Sequence, residues 1–445
     1  KYGFVASELE RAKTATLRNY EQAYNEKEKT ESRRYASEYI GYFLQQEPIP
    51  GIENEYEYVQ ALLPTINIAE MNGLVDKFLT DGNNVVIVQA PEKVGLQIPS
   101  EQQLADLFKV VENKEVAPYV DKVSDEPLVA APPTPGEIVK ERIIESLGAI
   151  EWTLSNGTRV MLKSTDFRND EIQFQGARWG GHSNAADEDY LSASAAAAII
   201  NSSGWGHFDQ VTLDKKLAGK IATVSTSISE TMEMVRGHCA PSDVETFFQL
   251  VYLAFTAPRL DQTAFESYKA RTRGYLENQG AMPEYVFSDS VTCIMYQYHP
   301  RRLPWTVDDL TTLDLKTAYD FYKDRFADAS DFYFVIVGNI DIAAIRPLLA
   351  FFNMTCLTVS HLVAPSARAP SRSGSGTILN TSMEMATIKG MTITATTMLP
   401  TSWNRTFPLH NARAARSRLS HGMPICKSHF SRYACSIEGK PARRT

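Results

Sequence analysis

Eight histidines and five cysteines are the residues of this 445-residue chain best suited to hold a metal or act as nucleophiles, and their spacing is the first constraint. A helical zinc site needs two histidines four positions apart, so that both imidazoles leave one face, with a carboxylate nearby to take a proton from metal-bound water. His182, His207, His238, His299, His361, His410, His421 and His429 contain no such pair. His421, Cys426, His429 and Cys435 have ligand-type side chains, but their spacing matches no standard knuckle and their flanks offer no scaffold.

His238 and Cys239 are adjacent, which in an extended segment sends their side chains to opposite faces, so a buried structural cysteine is expected there. Gly204-Trp205-Gly206 follows a helical stretch and reads as a C-cap and turn, too short for a dinucleotide fingerprint. His182, Asn184 and Asp187 share a polar loop before that helix. A solvated loop is the default reading there.

The elements that must position these residues can be read from capping and periodicity. Helices are expected over 7–32, opened by Ser7 and Glu10 as a capping box, then over 31–46 and 65–79, with a further one capped at Ser100. A short buried strand is expected at 84–89. Residues 116–145 hold Pro118, Pro127, Pro132, Pro133, Pro135 and Gly136 and read as an extended linker. A hairpin follows, with Ile150, Trp152 and Leu154 leading to an Asn156-Gly157 turn and Val160 and Leu162 returning. Strands are expected at 171–177, 220–228 and 332–337, and helices at 189–201, 242–256, 262–277 and 314–326. The pattern predicts an α+β fold of two-layer domains, each a mostly antiparallel sheet with helices on one face. The boundaries expected are 1–115, linker 116–145, 146–350, and a tail, 351–445.

Composition is ordinary for a globular protein, at 43% hydrophobic and 22% charged residues. No apolar run approaches the roughly 18 residues that span a bilayer, and five scattered cysteines imply no disulfide framework. The net charge of −8 conceals a split: residues 356–445 carry twelve Lys and Arg against two acids, leaving 33 bases and 51 acids before them. The tail has no Asp and little apolar periodicity. It reads either as a frame-shifted translation or as a disordered basic segment. Its arginines could touch phosphate, but aromatic residues are sparse there and nucleic acid is not indicated.

The stretch RWGGHSNAADEDYLSASAAAAIINSSGWGHFDQ from Arg178, with LAGKIATVSTSISETMEMVRGHCAPSDVETFFQLVYLAFTAPRLD ending at Asp261, resembles the degenerate second half of the inverzincin metallopeptidases. The segment GFVASELERAKTATLRNYEQAYNEKEKTESRRYASEYI resembles the close of the domain after the family's zinc domain, and DLKTAYDFYKDRFADASDFYFVIVGNIDIAAIRPLL a passage between domains. The likeness covers roughly residues 3–350. It implies bowl-shaped halves around a chamber where peptides or unfolded small proteins are cut, and it makes His182, Asn184 and Asp187, in the loop before the helix that replaces the zinc helix, the candidate substrate contacts facing that chamber. The family's zinc motif, H-x-x-E-H, is absent, and where its helix would align the chain reads DYLSASAAAAII.

The resemblance therefore implies a chain with no cofactor of its own, zinc being expected in a missing upstream half, within one polypeptide or as a partner chain. The alternative is a stand-alone peptide- or partner-binding module related to the family's inactive subunits. Lys1-Tyr-Gly-Phe suggests a truncated start, because a helix opens almost at once. The resemblance gives a weak leaning toward the bacterial periplasm.

Overall fold

A computed structural model describes residues 2–78, 85–90, 95–131, 133 and 136–352. The expected tail, with His421, Cys426, His429 and Cys435, lies outside the described residues apart from Phe351 and Phe352.

Seven strands form one sheet: β1 (Ile138–Ile144), β2 (Ala149–Leu154), β3 (Arg159–Ser164), β4 (Ile172–Trp179), β5 (Ala222–Ile228), β6 (Met232–Cys239) and β7 (Tyr333–Gly338). Their order across the sheet is β1-β2-β3-β7-β4-β6-β5, with only the β3 and β7 pair parallel. The Asn156-Gly157 turn joins β2 to β3, where Asn156 Oδ1 accepts from the Thr158 N–H at 3.1 Å. Asn156 Nδ2 also donates to the Phe352 carbonyl at 2.9 Å, so the turn anchors the end of the described chain.

The N-terminal helices are α1 (Ala6–Asn25), α2 (Ser32–Gln45), α3 (Ile52–Leu62), α4 (Ile68–Phe78) and α5 (Glu101–Asn113). With the sheet come α6 (Tyr190–Ser203), α7 (Gln210–Lys216), α8 (Val244–Thr256), α9 (Gln262–Gln279), α10 (Pro283–Met295), α11 (Asp309–Thr312), α12 (Leu315–Arg325) and α13 (Ile342–Leu348). The fold is α+β, a mostly antiparallel sheet with α6, α8 and α12 against one face. Period-2 alternation sends Trp152, Val160, Phe174, Val235, Phe334 and Ile336 into the layer between sheet and helices. Phe174 stacks on Phe334 at 5.5 Å and meets Phe247 of α8 edge-on at 5.1 Å. Phe255 of α8 meets Phe332 edge-on at 5.1 Å.

Three expectations are corrected. Residues 85–90 form no strand, and Val85, Val86, Ile87 and Val88 are exposed: an apolar run makes a strand only where another backbone takes its hydrogen bonds. The first helix starts at Ala6, with the Val5 N–H donating to Glu8 Oε2 at 2.9 Å, because Ser7 hydrogen bonds instead to Asp121. The last part of the expected linker forms β1, since no proline follows Pro135 and Ile138–Ile144 can pair with β2 at the sheet edge. The helices α3, α7, α10, α11 and α13 and strand β6 had no matching expectation.

The N-terminal helices meet the sheet unit through charges. Arg18 pairs with Asp170 at 2.7 Å, the Asp170 N–H donates to Glu26 Oε1 at 2.5 Å, and Asn169 Nδ2 donates to the Asn25 carbonyl at 2.8 Å. Asp121 receives Arg11 at 2.5 Å and Lys215 at 2.9 Å, and the Arg11, Ser7 and Lys215 donors hold its carboxyl well below the usual carboxylate range.

Two outcomes are expected. Phe334→Ala, which removes a fully buried ring shared by several aromatic neighbours, lowers unfolding stability by about 3–5 kcal/mol in urea titration. Asp121→Asn raises hydrogen exchange in α1 while the sheet strands keep their protection. Because Asp121 has a depressed folded pKa, its contribution is complete above the ordinary carboxylate range and is lost as pH falls through the folded value; the variant removes that acid-sensitive part.

Candidate functional site

The loop carrying His182, Asn184 and Asp187 leaves the end of β4 and enters α6, and a buried carboxylate fixes its course. Glu233 on β6 is completely buried. It accepts from Arg178 Nε at 3.3 Å and from the Gly181 N–H at 2.8 Å. Arg178 in turn reaches Asp331 at 3.3 Å and lies over the Phe332 ring. Gly181 has φ +79°, and a Cβ there would strike the Glu230 carbonyl, so glycine is required. The His182 and Ser183 N–H groups then donate to the Ser229 and Glu230 carbonyls, both at 2.9 Å.

Arg301 gathers the rest of the loop. Its guanidinium donates to Asp187 Oδ1 at 2.5 and 2.8 Å, to the Ala185 carbonyl at 2.8 Å and to the Ser183 carbonyl at 3.2 Å. It also lies 4.8 Å over the Tyr190 ring, whose hydroxyl donates to the Arg301 carbonyl at 2.9 Å. Arg302 pairs with Glu230 beside it. Sequence reading did not single out Arg301, since nothing local marks an arginine whose partners lie more than a hundred residues earlier.

The three candidate residues thus share one loop but differ in what they can offer. Asp187 is held by Arg301, although its side chain remains 88% exposed. The His182 ring meets Tyr190 edge-on at 5.2 Å, and its buried Nδ1 has no hydrogen-bond partner. Burial, then Arg302 and Arg301, hold its pKa below the ordinary histidine value, which favours the neutral imidazole. Asn184 is exposed at the end of the short 3-10 turn His182–Asn184.

The helix that follows has no metal chemistry. α6 buries Ala193, Ala195, Ala196, Ala197, Ile199 and Ile200. Among the described residues no three His, Cys, Asp or Glu side chains could jointly hold a metal ion, so a zinc ion does not fit them. Cys239 is buried, with its thiol pushed up to about 12 by burial and by Asp243, while His238 shares a 2.9 Å hydrogen bond with Thr223. They lie on opposite faces of β6 and form no nucleophilic pair. Gly204 caps α6 at φ +82°, and Trp205 is buried against Phe208 and Pro258 as a turn. No helix among the described residues is long and apolar enough to cross a membrane.

Breaking the buried pair by Glu233→Ala should cost about 3–5 kcal/mol, because it leaves Arg178 uncompensated and the Gly181 N–H unpaired; urea unfolding measures it. His182 gives a pH signature. Its folded pKa is depressed, so stability is full above the unfolded value of about 6.5 and declines as pH falls below it toward the folded value. Thermal unfolding between pH 5 and 8 should show a shallower acid limb for His182→Gln.

No family model matches the chain. It is 29% identical over 357 residues, 78% of its length, to the "Zinc protease PQQL-like" protein of Arabidopsis thaliana. It is 19% identical over 323 residues, 71% of its length, to the "Probable zinc protease PqqL" of Haemophilus influenzae. The chain spans 34% of each of these curated relatives. Among solved structures it is similar to the periplasmic protease PqqL of Escherichia coli, at 19% identity and a TM-score of 0.48, covering 82% of this chain and 40% of that one. The sequence likeness to proteins named as zinc proteases supports the inverzincin-like assignment that the resemblance implied.

Proposed function

We propose that this chain is a non-catalytic portion of an inverzincin-like zinc metalloendopeptidase and forms part of the chamber that binds and degrades peptides or small proteins. The observation that carries this reading is the unfinished state of the N-terminal helices. Among described residues 2–131 only Glu26 is buried, and α1, α2, α3 and α5 bury no residue at all. They leave Tyr39, Ile40, Phe43 and Leu44 of α2 exposed, with Leu107, Phe108, Val110 and Val111 of α5. Apolar area on this scale marks a missing neighbour. An α+β domain supplies one by laying such helices on a sheet. The curated relatives, of which this chain spans 34%, have room for that sheet and for an upstream zinc-binding half, in the same polypeptide or as a partner.

In this reading zinc belongs to the upstream half, and His182, Asn184 and Asp187 touch substrate from a loop that Glu233 and Arg301 hold in place. The substrate is a peptide or an unfolded small protein. The periplasm is proposed as the compartment by analogy alone; the word periplasmic describes the E. coli protein, and the sequence relatives come from a plant and a bacterium.

Extending the encoding DNA upstream of Lys1 tests the proposal. An in-frame H-x-x-E-H is expected, and the extended product should cleave peptides in a chelator-sensitive way while the 445-residue chain does not. The isolated chain should also bind a hydrophobic dye that the extended product excludes. Chelator-sensitive cleavage by the pure 445-residue chain would overturn the assignment.

A further inference from the structure

One face of the sheet packs on helices, and the other carries a charge pattern that the preceding sections leave unexplained. The strand pairings set its side chains in rows. One row runs Arg142, Glu151, Met161, Val335, Gln175, Arg236 and Ser225. The next runs Lys140, Thr153, Arg159, Tyr333, Ala177, Met234 and Ser227. Trp179 and Met232 extend the surface beyond them, and Lys163 and Val337 lie on its other side. Trp179 is 65% exposed, Arg159 and Arg236 are exposed, and Met232 and Met234 are half-buried. Residues Asn19 and Gln22 of α1 share a cavity with His238, so α1 approaches that end of β6 while the Arg236 to Trp179 end is left open.

Within the strands this face presents Lys140, Arg142, Arg159, Lys163 and Arg236 against one acid, Glu151, which Arg142 and the Tyr333 hydroxyl already engage. The described body is otherwise strongly acidic. A net positive sheet face on an acidic chain is a local field that selects its partner by sign.

We infer that the open sheet face, through Arg159, Lys163 and Arg236 around a centre of Tyr333, Met234 and Trp179, is a docking surface for extended acidic polypeptide. Geometry narrows the class further. Arg236 on β6 and Arg159 on β3 are three strand spacings apart across the sheet and two residues apart along it, about 16 Å between backbones. An extended peptide crossing the strands covers about 13 Å in four residues at ~3.3 Å each, the two flexible arginine side chains span the remainder, and residues four apart point to the same side. The fitting segment has two carboxylates four positions apart with an apolar or aromatic residue midway, which would land over Tyr333 and Ala177. Nucleic acid fits less well: one exposed tryptophan makes no stacking series.

This inference rests on the reading that the domain meets peptide substrate, and it names the chemistry of that substrate. Fluorescence anisotropy with the full 445-residue chain tests it, using a labelled ten-residue peptide with two Asp four apart and Phe between them. A matched peptide with Lys for Asp and an oligothymidine are the comparisons. The acidic peptide should bind at least tenfold tighter than the basic one and lose affinity as salt rises. Arg236→Glu with Arg159→Glu should weaken it at least tenfold with an unchanged unfolding curve, Arg236→Gln should have a smaller effect, and Lys316→Glu on α12 should have none. Equal binding of the two peptides, indifference to the Arg236 and Arg159 variants, or displacement of the acidic peptide by equimolar oligothymidine would overturn the inference. An extended product that cleaves peptides while the face binds none would sink this inference and leave the proposed function standing; binding without cleavage would do the reverse.

Discussion

A carboxylate with no solvent contact carries the arrangement of the candidate site. Glu233 sits on β6 among apolar side chains, where an unpaired charge would be very costly, so its environment must supply compensation. It does so twice, with the Arg178 guanidinium across the strand pair and with the N–H of Gly181 as the chain leaves β4. Those two contacts decide where the chain turns from strand to loop. Everything after the turn inherits that direction, including the loop that Arg301 holds and the entry into α6.

The composition of α6 follows from where it must go. It packs between α12, α9 and β5, and a run of buried alanines lets it approach them closely. Polar contacts then fix its register. Ser192 Oγ accepts from the Asp314 N–H at 3.0 Å, and Asn201 both donates to the Thr226 carbonyl at 2.7 Å and accepts from the Thr226 N–H at 3.1 Å. A helix so filled with small packing residues has no face left for metal ligands. The missing zinc motif and the tight core are two consequences of one choice of side chains.

The two described parts of the chain differ in how complete they are. Residues 136–352 close a core of their own, with aromatic rings from β4, β7 and α8 in mutual contact. Residues 2–131 have helix propensity, caps and ion pairs but almost no burial, and they attach to the sheet unit through polar contacts at Asp121, Asp170 and Asn169 and through Leu128 and Val129, which pack against its core.

Much of this was legible in the chain itself because the signals are local. The Asn156-Gly157 turn, the Ser100 cap, the alternation through β2, β3 and β7, and the Gly204 cap each depend on neighbours a few residues away. The absence of a histidine pair four apart, and with it of a helical zinc site, was also fixed by spacing alone. Tertiary structure decided what depended on distant partners. Residues 85–88 had the composition of a strand, but no strand among the described residues pairs with them, and Ser7 had the position of a cap but a better acceptor in Asp121. The burial of Glu233, the hold of Arg301 on Asp187 and the basic rows of the open sheet face join residues up to two hundred positions apart. Sequence spacing carries local geometry, whereas long-range pairing is set only when the sheet order brings β7 between β3 and β4 and the helices close over one face.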